Sequence, residues 1–138
     1  MYRISIIAVV SAFLAEFAVD LVIQQILLVA FAVGDASPDM GEDAARQLVQ
    51  KIMESTGFTA ATVILGSVTV VGGGYLAARI ARRFPYYQGL GIGILGIALT
   101  LYFWQLQPLW LSLLSLLTNI PLSIWGAHLA KRHLRPPE

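Results

Sequence analysis

Four long apolar blocks, separated by charged or turn-forming connections, dominate this chain. They cover roughly residues 4–33, 58–78, 89–106 and 110–130. A helix rising about 1.5 Å per residue needs about 20 apolar residues to cross a hydrocarbon layer about 30 Å thick, and each block approaches or exceeds that length. Lipid offers no hydrogen-bond partner to an exposed backbone, so a lone apolar run that enters it must be helical. A water-soluble chain of 138 residues has no use for four such runs. The pattern predicts an all-α integral membrane bundle of four transmembrane helices, forming one domain over residues 1–138.

Composition agrees. Hydrophobic residues make up 57% of the chain and charged residues 12%, against about 25% charged in soluble domains. A net charge of +1 leaves no basic face large enough to track nucleic-acid phosphates. The absence of cysteine removes disulfides, thiolate metal sites and a cysteine nucleophile. The first block ends in Ala30-Phe31-Ala32, which has the small-x-small look of a leader cleavage site. A secretory apolar core runs only about 7–15 residues and carries no acids at its middle, so the block is read as a span.

Lysine and arginine set the expected orientation. Arg3, Arg79, Arg82, Arg83, Lys131, Arg132 and Arg135 lie at the ends and in the second connection, whereas the first connection holds only Arg46 and Lys51. By the positive-inside rule, four spans then place both termini in the cytoplasm, and the expected location is the bacterial cytoplasmic (inner) membrane. The first connection also carries Asp35, Asp39, Glu42, Asp43 and Glu54, a net charge of −3, and faces outward. Trp104 and Trp110 would bracket the outer turn, with Tyr2, Tyr86 and Tyr87 at the inner headgroup layer.

Within the outer connection, Ser37-Pro38-Asp39 reads as a helix start and Gly57 as a stop. Ala44, Leu48, Val49, Ile52 and Met53 recur at helical spacing, predicting a short amphipathic helix over about residues 38–56 that lies on the outer leaflet or caps the bundle. A lid or partner-binding helix is the sharper alternative. Pro121, inside the fourth block, removes one backbone hydrogen bond there.

Small residues mark candidate helix contacts. Gly66, Gly73 and Ala77 of the second span stand at i, i+7 and i+11, and the third carries Gly89, Gly93 and Gly96, with a GxxxG pair at 89 and 93. In lipid, close backbone approach through such residues drives helix association. The two segments are expected to pack on each other, with a homo-oligomer contact as the alternative. The glycines lie in apolar helices with no following lysine–hydroxyl pair, which argues against a phosphate loop.

The chemically conspicuous feature is acidic. Glu16 and Asp20 flank the middle of the first block, four residues apart on one helix face, and Gln24 extends that face by a turn. Two central acids oppose insertion by about 5–7 kcal/mol, and the eighteen Leu, Ile, Val and Phe residues between Ile4 and Val33 favour it by about 5–11 kcal/mol. An acid that expensive faces a bundle interior, a wet cavity or a partner. Thr118 and Asn119 of the fourth span and Ser67 of the second fall at similar depth, so a shared polar cluster is geometrically possible. Three roles stay open: hydrogen bonding inside the bundle, pairing with another subunit, or proton or cation exchange in a small transporter.

The stretch Ala12-Phe13-Leu14-Ala15-Glu16 resembles the first helix of the small multidrug resistance transporters, four-span proteins that work as dimers. The resemblance covers these five residues and implies for Glu16 a role in binding proton and cationic drug alternately. Asp20 and the long charged outer connection are no part of that pattern.

Elsewhere the chemistry is sparse. His128 and His133 are five apart with no third ligand nearby in sequence, so no metal or cofactor is implied, and no serine–histidine–acid set falls on one side of the membrane. Arg79, Arg82, Arg83, Lys131, Arg132 and Arg135 read as an orientation anchor that could also meet anionic lipid. The expectation is a non-enzymatic accessory or scaffolding subunit, or a self-associating module, whose partners are the bilayer and other membrane subunits or further copies. The alternative is a small oligomeric transporter or channel using Glu16 and Asp20.

Overall fold

Helix start and stop signals, more than hydropathy, decide where the elements of this protein begin. A computed structural model describes residues 4–106 and 108–134. Arg3 and Arg135 lie outside them. The order is α1 (Ile6–Ala32), α2 (Glu42–Glu54), α3 (Thr56–Ala81), α4 (Pro85–Tyr102) and α5 (Leu109–Leu134), with a short 3-10 turn at Trp104–Leu106 before α5. The protein is all-helical, with no strand among the described residues. Three helices are long and apolar enough to cross a membrane: α1, α3, and α5 over Leu109–His133. The shorter α4 is not among them, because its first turn spends positions on Tyr86, Tyr87 and Gln88.

Two boundaries differ from the sequence reading for local reasons. Ser37-Pro38-Asp39 forms a turn, with the Met40 N–H donating to the Ser37 carbonyl at 3.1 Å. The extended Gly41 (φ −67°, ψ 159°) precedes α2, which starts at Glu42 and carries Glu42 and Asp43 in its first turn, where acids favour the helix dipole. Gly57 does not end α2. Ser55 does, and the same residue opens α3: its hydroxyl donates to the Ile52 carbonyl at 2.7 Å and accepts the Phe58 N–H at 3.3 Å. Between α3 and α4, Arg82 and Phe84 adopt left-handed φ of 52° and 45°, and Pro85 occupies the first position of α4, where a missing N–H costs nothing. α5 continues through Pro121.

The chain divides into two compact units, one formed by residues up to 18 together with 67 onward, the other by 19–66. In the smaller unit α2 buries Ile52, and Phe31 of α1 meets Phe58 of α3 edge to face at 5.8 Å. Gly57 lets the Phe31 ring approach, since a Cβ there would stand 3.1 Å from it.

The larger unit is built on small residues. One buried cluster joins Val9, Ala12, Ala77 and Ile92, and another joins Ala78, Ala127 and Ala130. Gly89, Gly93 and Gly96 of α4 meet α5 in descending order, at Ser123 and Ala127, then Ile120 and Ser123, then Asn119, so α4 and α5 are antiparallel neighbours. A Cβ on Gly74 of α3 would overlap the Ser123 carbonyl oxygen, and one on Gly126 of α5 would overlap that of Val71. The Ser123 carbonyl thus sits in a notch between glycines of two helices, Gly74 and Gly89. The nearest atoms to the α3 and α4 glycines lie on α5 and α1, not on each other.

Candidate functional site

The polar residues of the apolar helices are placed by this packing. Glu16 is half-buried on α1, and its Oε2 is closed to solvent. The carboxylate lies against the backbone of Gly73 on α3: a Cβ there would overlap Oε2 and come within 2.8 Å of Cδ. Gly73, buried, therefore makes room for an acid. Ala77, one turn further along α3, packs with Val9 and Ala12 of α1, so the same two helices close the apolar side of this contact.

Asn119 is 8% exposed and lies against Gly96, whose added Cβ would stand 3.1 Å from its Cγ and Nδ2. Its amide donates to Thr100 Oγ1 at 3.5 Å, and Thr100 Oγ1 in turn donates to the Gly96 carbonyl at 2.9 Å. This short α4–α5 network is bonded within itself, which is what burial of polar groups demands. Thr118 turns its hydroxyl back to the Leu114 carbonyl at 2.8 Å. Ser67 is half-buried in the same unit. Asp20, Gln24 and Gly66 belong to the smaller unit, where Asp20 and Gln24 are half-buried and a Cβ on Gly66 would meet nothing within 4 Å. The structure thus brings Glu16 to Gly73 and Asn119 to Gly96, joining acidic or amide side chains to glycines of a neighbouring helix.

Two polar residues that matter here are not singled out by the sequence reading. Thr100 is one. Gln88, fully buried, is the other: its Oε1 accepts the Ser5 N–H at 3.1 Å and its amide donates to the Arg83 carbonyl at 3.4 Å. It ties the start of α1 to the turn before α4. A lone glutamine entering an apolar helix is the signal that points to it.

At the other polar end, α3, α4 and α5 gather rings and cations. Arg79 Nη1 donates to the Tyr75 hydroxyl at 2.8 Å with its guanidinium 5.9 Å from that ring, and His133 meets Tyr75 edge to face at 5.9 Å. Lys131 Nζ stands 4.9 Å from the Tyr86 ring centre. The Tyr86 hydroxyl and His128 Nδ1 share a hydrogen bond of 2.9 Å, the histidine tautomer fixing the donor. The two histidines serve separate tyrosines. Arg82, Arg83 and Arg132 are exposed. Among the described residues no group of three histidine, aspartate or glutamate side chains could hold a metal ion.

No family model, curated protein or solved structure matches this chain. The likeness of residues 12–16 to the small multidrug transporters rests on those five residues.

Proposed function

We propose that this is a small, non-enzymatic, multi-pass protein of the bacterial inner membrane, acting as an accessory or scaffolding subunit, or a self-associating module, of a membrane complex. In this reading α1, α3, α4 and α5 all cross, both termini are cytoplasmic, and α2 lies on the outer surface. Arginine and lysine placement supports the orientation. α4, with 18 residues, reaches about 27 Å, close to the hydrocarbon thickness of about 30 Å.

One observation carries the partner reading. Gly72 is exposed on α3, and a Cβ there would meet nothing within 4 Å. One turn to either side stand Val68, 62% exposed, and Leu76, 37% exposed. A glycine against lipid weakens its helix and packs nothing, whereas against another helix it admits close backbone approach. The Val68–Gly72–Leu76 face is thus suited to a second membrane helix. Gly72→Leu tests this. It should leave helix content and stability intact while self-association, or co-purification of a membrane partner, is lost. Association unchanged in that variant contradicts the reading.

A second reading, a proton- or cation-coupled transporter or channel, is favoured by the closed Glu16 Oε2 beside Gly73. Proteoliposomes separate the two. Glu16→Gln with Asp20→Asn should abolish pH-driven flux if transport is correct, and no flux in the parent protein excludes that reading.

A further inference from the structure

Between Thr56 and Leu134 the chain carries Arg79, Arg82, Arg83, Lys131 and Arg132 and not one aspartate or glutamate. The ion pair at Arg46 and Glu42, 3.9 Å, is on α2 and belongs to the other unit. The five cations collect where α3 ends, α4 begins and α5 ends, so their counter-charge has to come from outside these helices. We propose that this end is a docking surface for the phosphate groups of anionic phospholipids.

Three observations support that chemistry. First, two cations are held in place before any ligand arrives. Tyr75 fixes Arg79 through its hydroxyl and ring face, and the ring of Tyr86, whose hydroxyl is hydrogen-bonded to His128, stands 4.9 Å from Lys131 Nζ. A side chain already held loses less freedom on binding. Second, the rings are those of a headgroup layer: Phe84 is 50% exposed and Tyr86 and Tyr87 are each 38% exposed, beside helices long and apolar enough to cross a membrane. Third, the left-handed Arg82 and Phe84 shape the α3–α4 turn, in which Arg82 and Arg83 are exposed a few residues before Tyr86 in the chain. A guanidinium and an ammonium at headgroup depth suit phosphate oxygens. The surface goes beyond the scaffolding reading and rests only on insertion of these helices in a bilayer.

The test is native mass spectrometry of the full chain, released from a zwitterionic detergent and titrated with phosphatidylglycerol or phosphatidylcholine. Phosphatidylglycerol should bind at least about 25-fold more tightly. A basic side chain near an anionic surface contributes about fivefold, so Arg79→Gln with Lys131→Gln should weaken phosphatidylglycerol by roughly 25-fold and phosphatidylcholine, whose choline offsets its own phosphate, far less. Arg79→Lys with Lys131→Arg should keep most of the affinity, and Tyr75→Phe with Tyr86→Phe should lose several-fold with all charges present. Arg46→Gln with Lys51→Gln, on α2, should change nothing. Equal binding of the two lipids overturns the proposal, as does equal loss in the α2 variant. Displacement of lipid by millimolar inorganic phosphate would mark a free-anion site instead, and displacement by an acidic peptide a protein-docking one; either outcome overturns the lipid assignment. Loss of lipid preference in a chain that labelling still shows crossing the membrane would remove this inference alone.

Discussion

Alanine at position 74 adds one methyl group where α3 and α5 touch backbone to backbone. That methyl would overlap the Ser123 carbonyl oxygen and stand 2.7 Å from its carbon and 2.9 Å from its Cα, against about 3.4 Å for ordinary contact. All three atoms are main chain, so no rotamer change relieves the clash. The helices must part, and the reciprocal contact of Gly126 with Val71 loosens with them. Overpacking costs about 1–3 kcal/mol, and a backbone-on-backbone clash belongs at about 3 kcal/mol. Alanine regains about 1 kcal/mol of helix propensity, so Gly74→Ala should destabilise by about 2 kcal/mol. Gly72 is the internal control: nothing in the chain lies within 4 Å of its Cβ position, so in the unassociated chain Gly72→Ala should stabilise by up to about 1 kcal/mol. Reversible unfolding in mixed detergent micelles, followed by far-UV circular dichroism, reads both. The packing account is refuted if Gly74→Ala is as stable as the parent, or if Gly72→Ala is the more damaging change.

Three further outcomes follow from the same contacts. A cycle of Asn119→Leu and Thr100→Val should show coupling of about 0.6 kcal/mol, the average for hydrogen bonds between membrane helices, and strict additivity would deny the bond. Gln88→Leu should cost about 1–3 kcal/mol in the unfolding assay and speed amide exchange at Ser5, because that N–H loses its acceptor; unchanged exchange would contradict the link. Gly73→Ala should cost less than Gly74→Ala, because what it meets is the tip of the Glu16 side chain, which can swing aside. An equal cost would mean that the carboxylate is rigidly held.

The long apolar runs made α1, α3 and α5 legible, because length and composition alone fix a helix in lipid. Boundaries were less so. Ser37-Pro38 and Gly57 carry the right residue types for a helix start and stop, yet Gly41 and Ser55 sit where the backbone turns extended. For α4, the apolar block begins only at Gly89, because hydropathy counts Tyr86 to Gln88 as polar although they are helical, whereas Pro85 is a helix-start signal. The glycines could be seen in the sequence, but not the helix each one faces, since helix order along a chain does not determine adjacency. For the same reason the acid of Glu16 was evident and its seat on Gly73 was not. Thr100 and Gln88 have no periodicity to mark them, and only the isolation of the glutamine at the start of an apolar helix points to it.

The proposed role depends most on how many times the chain crosses the bilayer, and site-directed labelling measures that. The protein has no cysteine, so single cysteines at Ala44, Arg83, Gln105 and Arg132 each report one position without background. In oriented membranes, an impermeant thiol reagent should reach positions 44 and 105 from one face and positions 83 and 132 from the other. Labelling of 83 and 105 from the same face would show that α4 does not cross, and the four-span bundle would fall.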